Sequence, residues 1–196
     1  MGVIYTVADD LRDLLIPFMR GKGCTTPDET IIDAYRACYR LGAPATTLWQ
    51  AGGFDTAKDI GLENEFLAAY ELTGGVVEFL EAMKNAQIPV LTLSNDIAEW
   101  ATRRREIHGI DTYFRGSVIS GEAGVIKPDI AIYEDLCKML DCSADECLFV
   151  DDRSGNLDGA QLAGLSTVLF SRGPSSPYRQ VSDFAQLTTL ILQGDL

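Results

Sequence analysis

The sequence predicts an α/β fold in which a parallel sheet is covered by helices on both faces and preceded by a run of helices. Two observations carry this. From Val76 onward, short apolar runs alternate with stretches of helical period, and that alternation implies right-handed strand-helix-strand units with parallel strands. From residue 8 to residue 72 the apolar period is helical throughout. A chain of 196 residues can bury a sizeable core, as one domain or one domain with a smaller insert.

Residues 2–7, GVIYTV, have strand composition, and Thr6 stands three positions before Asp9 as in a capping box variant. A helix is predicted from Ala8 to Arg20 on the apolar positions Leu11, Leu14, Leu15 and Phe18, with Gly21 and Gly23 stopping it. Pro17 inside it predicts a kink or an early end. Thr26, Pro27, Asp28 and Glu29 supply an N-cap, a proline at the first helical position and first-turn acids for a helix to Arg40. A short segment follows around Leu48 and Trp49. Leu62 to Leu72 is amphipathic, with Phe66, Leu67 and Tyr70 on one stripe.

The pattern changes at Thr73, Gly74 and Gly75. Helices are predicted over 76–85, 97–108, 130–140 and 157–165, with strands over 89–93, 117–120, 148–150 and 166–170 between and after them. A last helix over 181–192 would cover an edge.

The net charge of −13 argues against nucleic acid or an anionic membrane as partner, because phosphates would be repelled. Asp9, Asp10 and Arg12 interrupt the first apolar residues, so no signal peptide is expected, and no apolar run reaches the roughly 18 residues of a membrane span. The five cysteines, Cys24, Cys38, Cys137, Cys142 and Cys147, lack metal-site spacing and suit reduced thiols in a cytoplasmic protein. His108, the only histidine, reads as a surface or C-terminal-turn residue.

Three strand ends carry chemistry, and open α/β sheets bind ligands at that rim. Leu91 to Asn95, LTLSN, delivers Ser94 and Asn95. The loop from Gly124 to Asp129 carries Lys127 ahead of a helix. The run Leu148 to Val150 ends in Asp151 and Asp152, two acids whose mutual repulsion a hard cation such as Mg²⁺ would relieve. Each is weak alone: Ser94, Asn95, Asp152, Ser154 and Asn156 are also good N-caps, and a lysine such as Lys127 is most often a solvated surface residue.

In this order and spacing, LTLSN, the lysine of IKPD, and FVDD followed by Asn156 resemble the second to fourth motifs of the haloacid dehalogenase (HAD) superfamily, over residues 73–171. The resemblance implies a Rossmann-like parallel sheet with helices on both faces (residues 73–196), a small helical cap (8–72), and a remnant of the first core strand (1–7). It implies a Mg²⁺-dependent phosphatase acting on a small phosphorylated substrate through an aspartyl-phosphate. Ser94, Asn95 and Lys127 would serve catalysis; Asp152 would bind Mg²⁺ with Asp151 beside it and Asn156 in support. Arg12, Arg20, Arg36 and Arg40 of the cap are candidate anion contacts. Paired acids at 151 and 152 argue against the metal-independent dehalogenases of the same superfamily, and a non-catalytic binding or regulatory module is the other alternative.

The family's first motif, a strand ending in a nucleophilic aspartate, is not recognisable. In one alignment Thr6 replaces the nucleophile and Ala8 the second acid, giving an inactive relative. In the other, Gly2, Val3 and Ile4 match the tail of a variant motif, Asp-x-Gly-Gly-Val-Ile, with Met1 in place of the first glycine and the nucleophile upstream. The second is favoured, because a parallel sheet needs its first strand buried at the centre and residues 3–7 are short for that. Either way Thr6, Asp9 and Asp10 are expected in structural roles, and strand edges left unpaired would invite rearrangement, swapping or a homodimer.

Overall fold

A computed structural model describes residues 2–59 and 61–194. The chain opens with bends, and one isolated antiparallel bridge joins Tyr5 to Leu72. The strand expected over 2–7 is reduced to this bridge: Thr6 N–H donates to Glu71 and Thr73 N–H to Ile4, so the segment spends its backbone groups on residues 71–73 rather than on the sheet. Met1, placed by alignment at a motif glycine, lies outside the described residues.

A π-helical turn, Leu11–Leu15, runs into α1 (Ile16–Gly21). Pro17 falls in the first turn of α1, where its missing N–H costs nothing, so the kink expected there is replaced by the wide turn before it. Asp9, not Thr6, takes the free N–H of Arg12, at 3.1 Å. Next come α2 (Asp28–Leu41), closed by Gly42 in the left-handed region at φ 68°, α3 (Ala45–Ala51) and α4 (Leu62–Ala68). These helices bury Leu15, Ile31, Leu48, Phe66 and Leu67 in one apolar cluster that also takes in Ile97 and Trp100. Phe66 sits at its centre, with ring centroids 5.0 Å from Trp100 and 5.4 Å from both Phe18 and Tyr70.

The remainder alternates as expected: α5 (Val76–Asn85), β1 (Val90–Ser94), α6 (Ala98–Ile107), β2 (Phe114–Ile119), α7 (Ser120–Ala123), α8 (Ile130–Leu140), β3 (Leu148–Asp151), α9 (Ser154–Leu162), β4 (Ser166–Phe170), β5 (Gln180–Val181) and α10 (Phe184–Gln193). The last helix starts at Phe184 rather than 181 because Val181 pairs with Phe170 and Asp183 caps the helix through Gln186 N–H. All the strand pairs are parallel: β1 with β2, β3 with β4, and β4 with β5.

The sheet is in two pieces. Among the described residues β1–β2 and β3–β4–β5 share no hydrogen bond. Between them lies a cavity of about 520 Å³ walled by both strands and by side chains such as Phe79, Leu136 and Leu187 from the covering helices. Two apolar clusters flank it: one gathers Phe79, Val168, Phe184 and Leu187, the other Tyr133, Phe149, Leu157 and Leu169. No helix among the described residues is long and apolar enough to cross a membrane.

Candidate active site

The carboxyl ends of β1 and β3 and the loop before α8 meet at one rim. Lys127 is buried, and its Nζ lies 2.6 Å from Asp151 Oδ2. Asn95 holds the lysine loop from the other strand: its Nδ2 donates to Lys127 O at 3.0 Å and its Oδ1 accepts from Lys127 N–H at 2.8 Å. Two strand ends 24 and 32 residues from Lys127 thus position one ammonium group.

Asp151 is saturated. Besides Lys127, its Oδ1 accepts from Arg153 N–H and from Asn156 Nδ2, each at 2.9 Å. Burial alone would push this carboxyl up; the Lys127 charge and hydrogen bond, then Asn156 and the Arg153 amide, hold it below the ordinary carboxylate range. It is therefore an ionised, fully committed partner of Lys127.

Asp152 points elsewhere. No side-chain hydrogen bond or ion pair to it forms among the described residues. Burial, and the Asp151 charge beside it, push its carboxyl above the ordinary value. Gly2 runs directly against this group, with φ 69°, and a Cβ there would collide with the carboxylate. A half-buried carboxylate beside a like charge is a donor that a hard cation would relieve, and Mg²⁺ binds through one or two carboxylates while keeping several waters. No group of three metal-ligating side chains forms among the described residues; Asp152 is the rim carboxylate that would face a cation, with Asp151 bound to Lys127 and Asn156 bound to Asp151.

The capping readings do not hold. The N-cap of α9 is Arg153 with no side-chain cap, since Asn156 turns to Asp151. The N-cap of α6 is Ile97, also without a side-chain cap, and the Asp96 carboxylate accepts from Ile97 N–H at 2.8 Å. Asp96 also forms a wholly buried ion pair with Arg104, and Ser120 Oγ accepts its N–H at 3.0 Å. Neither Asp96 nor Ser120 was singled out by sequence, since their partners Arg104 and Tyr39 lie on other elements or a further turn away.

The helical part meets the rim at several points. Ser120 Oγ donates to Tyr39 O at 2.6 Å, Glu99 accepts from Ala45 N–H at 2.9 Å, and Arg153 donates to Ala8 O at 2.8 Å. Its arginines are otherwise engaged: Arg12 and Arg36 pair with Asp9 and Asp33 on exposed helix faces, Arg20 closes the 24–28 loop, and Arg40 lies over Tyr39. Asp10 is buried and accepts from Tyr35 at 2.8 Å and Tyr70 at 3.0 Å, a structural role as expected. His108 ends α6 with its ring edge-on to Tyr5.

The chain is similar to known proteins in the following ways. The family model described as haloacid dehalogenase-like hydrolase matches residues 28–164. A sesquiterpene phosphatase of Aspergillus oryzae is 32% identical over 114 residues, 54% of this chain, and the chain spans 58% of that relative's length. Among solved structures, a HAD phosphatase from Thermococcus onnurineus superposes with a TM-score of 0.72 at 15% identity, covering 97% of this chain and 94% of that one. A 2-haloacid dehalogenase from Pseudomonas syringae gives 0.69 at 17%, covering 99% and 96%. At such identities the two structures establish the fold and not the reaction. With the motif residues gathered on one rim and the family model spanning most of the core and the helices before it, the chain belongs to the haloacid dehalogenase-like hydrolase family.

Proposed function

We propose that this chain carries the phosphate- and Mg²⁺-binding half of a phosphatase site that acts on a small phosphorylated substrate, with residues 8–72 as a helical cap over the rim. The observation that carries the reading is the Asp152 carboxylate, half-buried and without a side-chain partner among the described residues, beside the buried Lys127–Asp151 pair. Mg²⁺ bound there would shield the negative charge of a phosphate from an attacking carboxylate. Lys127, with three donors of which Asp151 takes one, would hold a phosphoryl oxygen, and Ser94 would donate to another. Asn95 would keep the lysine in place. The similarity to a sesquiterpene phosphatase directs the choice of substrates toward apolar phosphomonoesters.

Among the described residues no carboxylate is placed as the attacking aspartate of an aspartyl-phosphate mechanism. Asp151 is bound to Lys127, Asp9 caps a helical turn and Asp10 is bonded to two tyrosines. That observation favours one second reading, a non-catalytic binding module. Phosphate release from sesquiterpenyl and sugar monophosphates, by the chain and by a form extended ahead of Met1 with an apolar strand ending in Asp-x-Gly, separates the two. The phosphatase reading expects Mg²⁺-dependent release by the extended form and loss of at least a hundredfold in Asp152→Ala. No release from the extended form supports the module, and metal-independent halide release from 2-haloacids would overturn both.

A further inference from the structure

We infer that Cys142 and Cys147 are a redox modification site, a dithiol that closes to a disulfide by exchange with a small external disulfide and reopens with thiol. The inference lies outside the rim chemistry and does not need the phosphatase reading.

Three of the five free cysteines gather where α8 leads into β3. Cys147 is buried in the apolar cluster of Tyr133 and Phe149, and Cys137 and Cys142 pack half-buried against the same cluster. The Sγ atoms of Cys142 and Cys147 are 3.3 Å apart, so one thiol donates to the other. Among the described residues no group of three side chains able to hold a metal ion forms, and the pair is the unit.

The backbone holds the two sulfurs together. Asp141 closes α8 in the left-handed region at φ 57° and turns the chain back, with Cys142 N–H donating to Cys137 O at 3.3 Å. Ser143 then caps the turn Ala144–Glu146, its N–H and Oγ both donating to Glu146 Oε2 at 2.9 and 2.8 Å. Cys147 is pinned on both sides: its N–H donates to Ala144 O at 3.1 Å and its O accepts from Ser166 N–H of β4 at 3.0 Å. Joining the sulfurs therefore asks for a side-chain rotation and no refolding of the turn.

Burial divides the roles. Cys142 is half-exposed and takes the first attack, while Cys147 is 7% exposed, and burial pushes its thiol up to about 12, out of reach of external reagents. The Cys142 sulfur attacks one sulfur of the external disulfide, whose S–S bond breaks and releases one thiol. The Cys147 sulfur then attacks Cys142, the internal S–S bond forms, the mixed one breaks, and a second thiol leaves. The two thiol protons end on the released thiols, and two electrons pass from the cysteines to the reagent. Asp141, Asp145 and Glu146 are exposed around the pair, so an uncharged disulfide approaches more readily than an anionic one. The bond would tie the end of α8 to the start of β3, two elements whose other ends lie at Lys127 and Asp151.

The test is the folded 196-residue chain equilibrated with hydroxyethyl disulfide and mercaptoethanol, then alkylated, digested with trypsin and weighed by mass spectrometry. Cleavage after Lys138 and Arg153 releases Cys142 and Cys147 in one peptide, 139–153, apart from Cys137. The expected product is this peptide, unalkylated and lighter by two hydrogens, restored by dithiothreitol, with the circular dichroism of the chain unchanged. Closure is expected to be at least tenfold faster in the folded chain than in urea. Cys137→Ser should close as the wild type does, and Cys147→Ser should leave Cys142 carrying the hydroxyethyl adduct. An alkylated or merely adducted Cys142 in the wild type, a link from 139–153 to the peptide of Cys137, or equal rates in urea would overturn the proposal. The wild type alone decides it, so a variant that fails to fold leaves the test intact. None of these readouts requires turnover, so loss of the proposal and loss of the phosphatase reading are distinguishable.

Discussion

Lys127 and Asp151 are both buried, at 9% and 5% side-chain exposure, and neither is tolerable there without the other. Removing one member of such a pair leaves an uncompensated charge, at a cost of about 3–5 kcal/mol. Lys127→Met should therefore lower stability to urea at pH 7 by that order. The pH dependence carries the sign. In the wild type Asp151 titrates below the ordinary carboxylate value, so its contribution is complete above about pH 4 and fades as the pH falls through its folded pKa. In Lys127→Met only burial acts strongly on Asp151, its carboxyl rises, and the folded state gains a proton before the unfolded state does. The gap in Tm between wild type and variant should then shrink from pH 7 to pH 4.5; a constant or widening gap would show that Lys127 does not hold Asp151 ionised.

At the scale of elements, α4 anchors the helical part through Phe66, which is wholly buried among four aromatic rings. Phe66→Ala should cost about 3–5 kcal/mol in urea unfolding, since a packed aromatic cluster collapses poorly onto a cavity. A loss under about 1 kcal/mol would contradict that placement. Elements whose apolar period was strong were legible in the sequence: α5, α8 and β4 have the expected bounds. Residues 2–7 were misread because strand composition forms a strand only where an edge is offered, and this segment turns at Gly2 and bonds to the 71–73 turn instead. The convergence of Ser94, Lys127, Asp151 and Asp152 could be inferred from strand ends. The division of labour could not: Asn95 clamps a loop 32 residues away and Asn156 holds Asp151, contacts that both side chains' good capping propensity conceals.

For the whole molecule, a net charge of −13 makes the rim an unusual place to hold a phosphate, and only local cations can do so. Lys127 supplies one charge and gives part of it to Asp151, so the proposed phosphatase needs a further cation, for which Asp152 is the proposed ligand; the helices of residues 8–72 are tied to the core through Tyr39, Ala45 and Ala8. Mn²⁺, as a spectroscopic substitute for Mg²⁺, tests that ligand without turnover. Electron paramagnetic resonance of the chain titrated with Mn²⁺ should show one bound ion, displaced by Mg²⁺ and lost in Asp152→Ala, while Asp33→Ala, a substitution on the exposed face of α2, leaves it in place. Undiminished Mn²⁺ binding in Asp152→Ala would contradict the account at its centre.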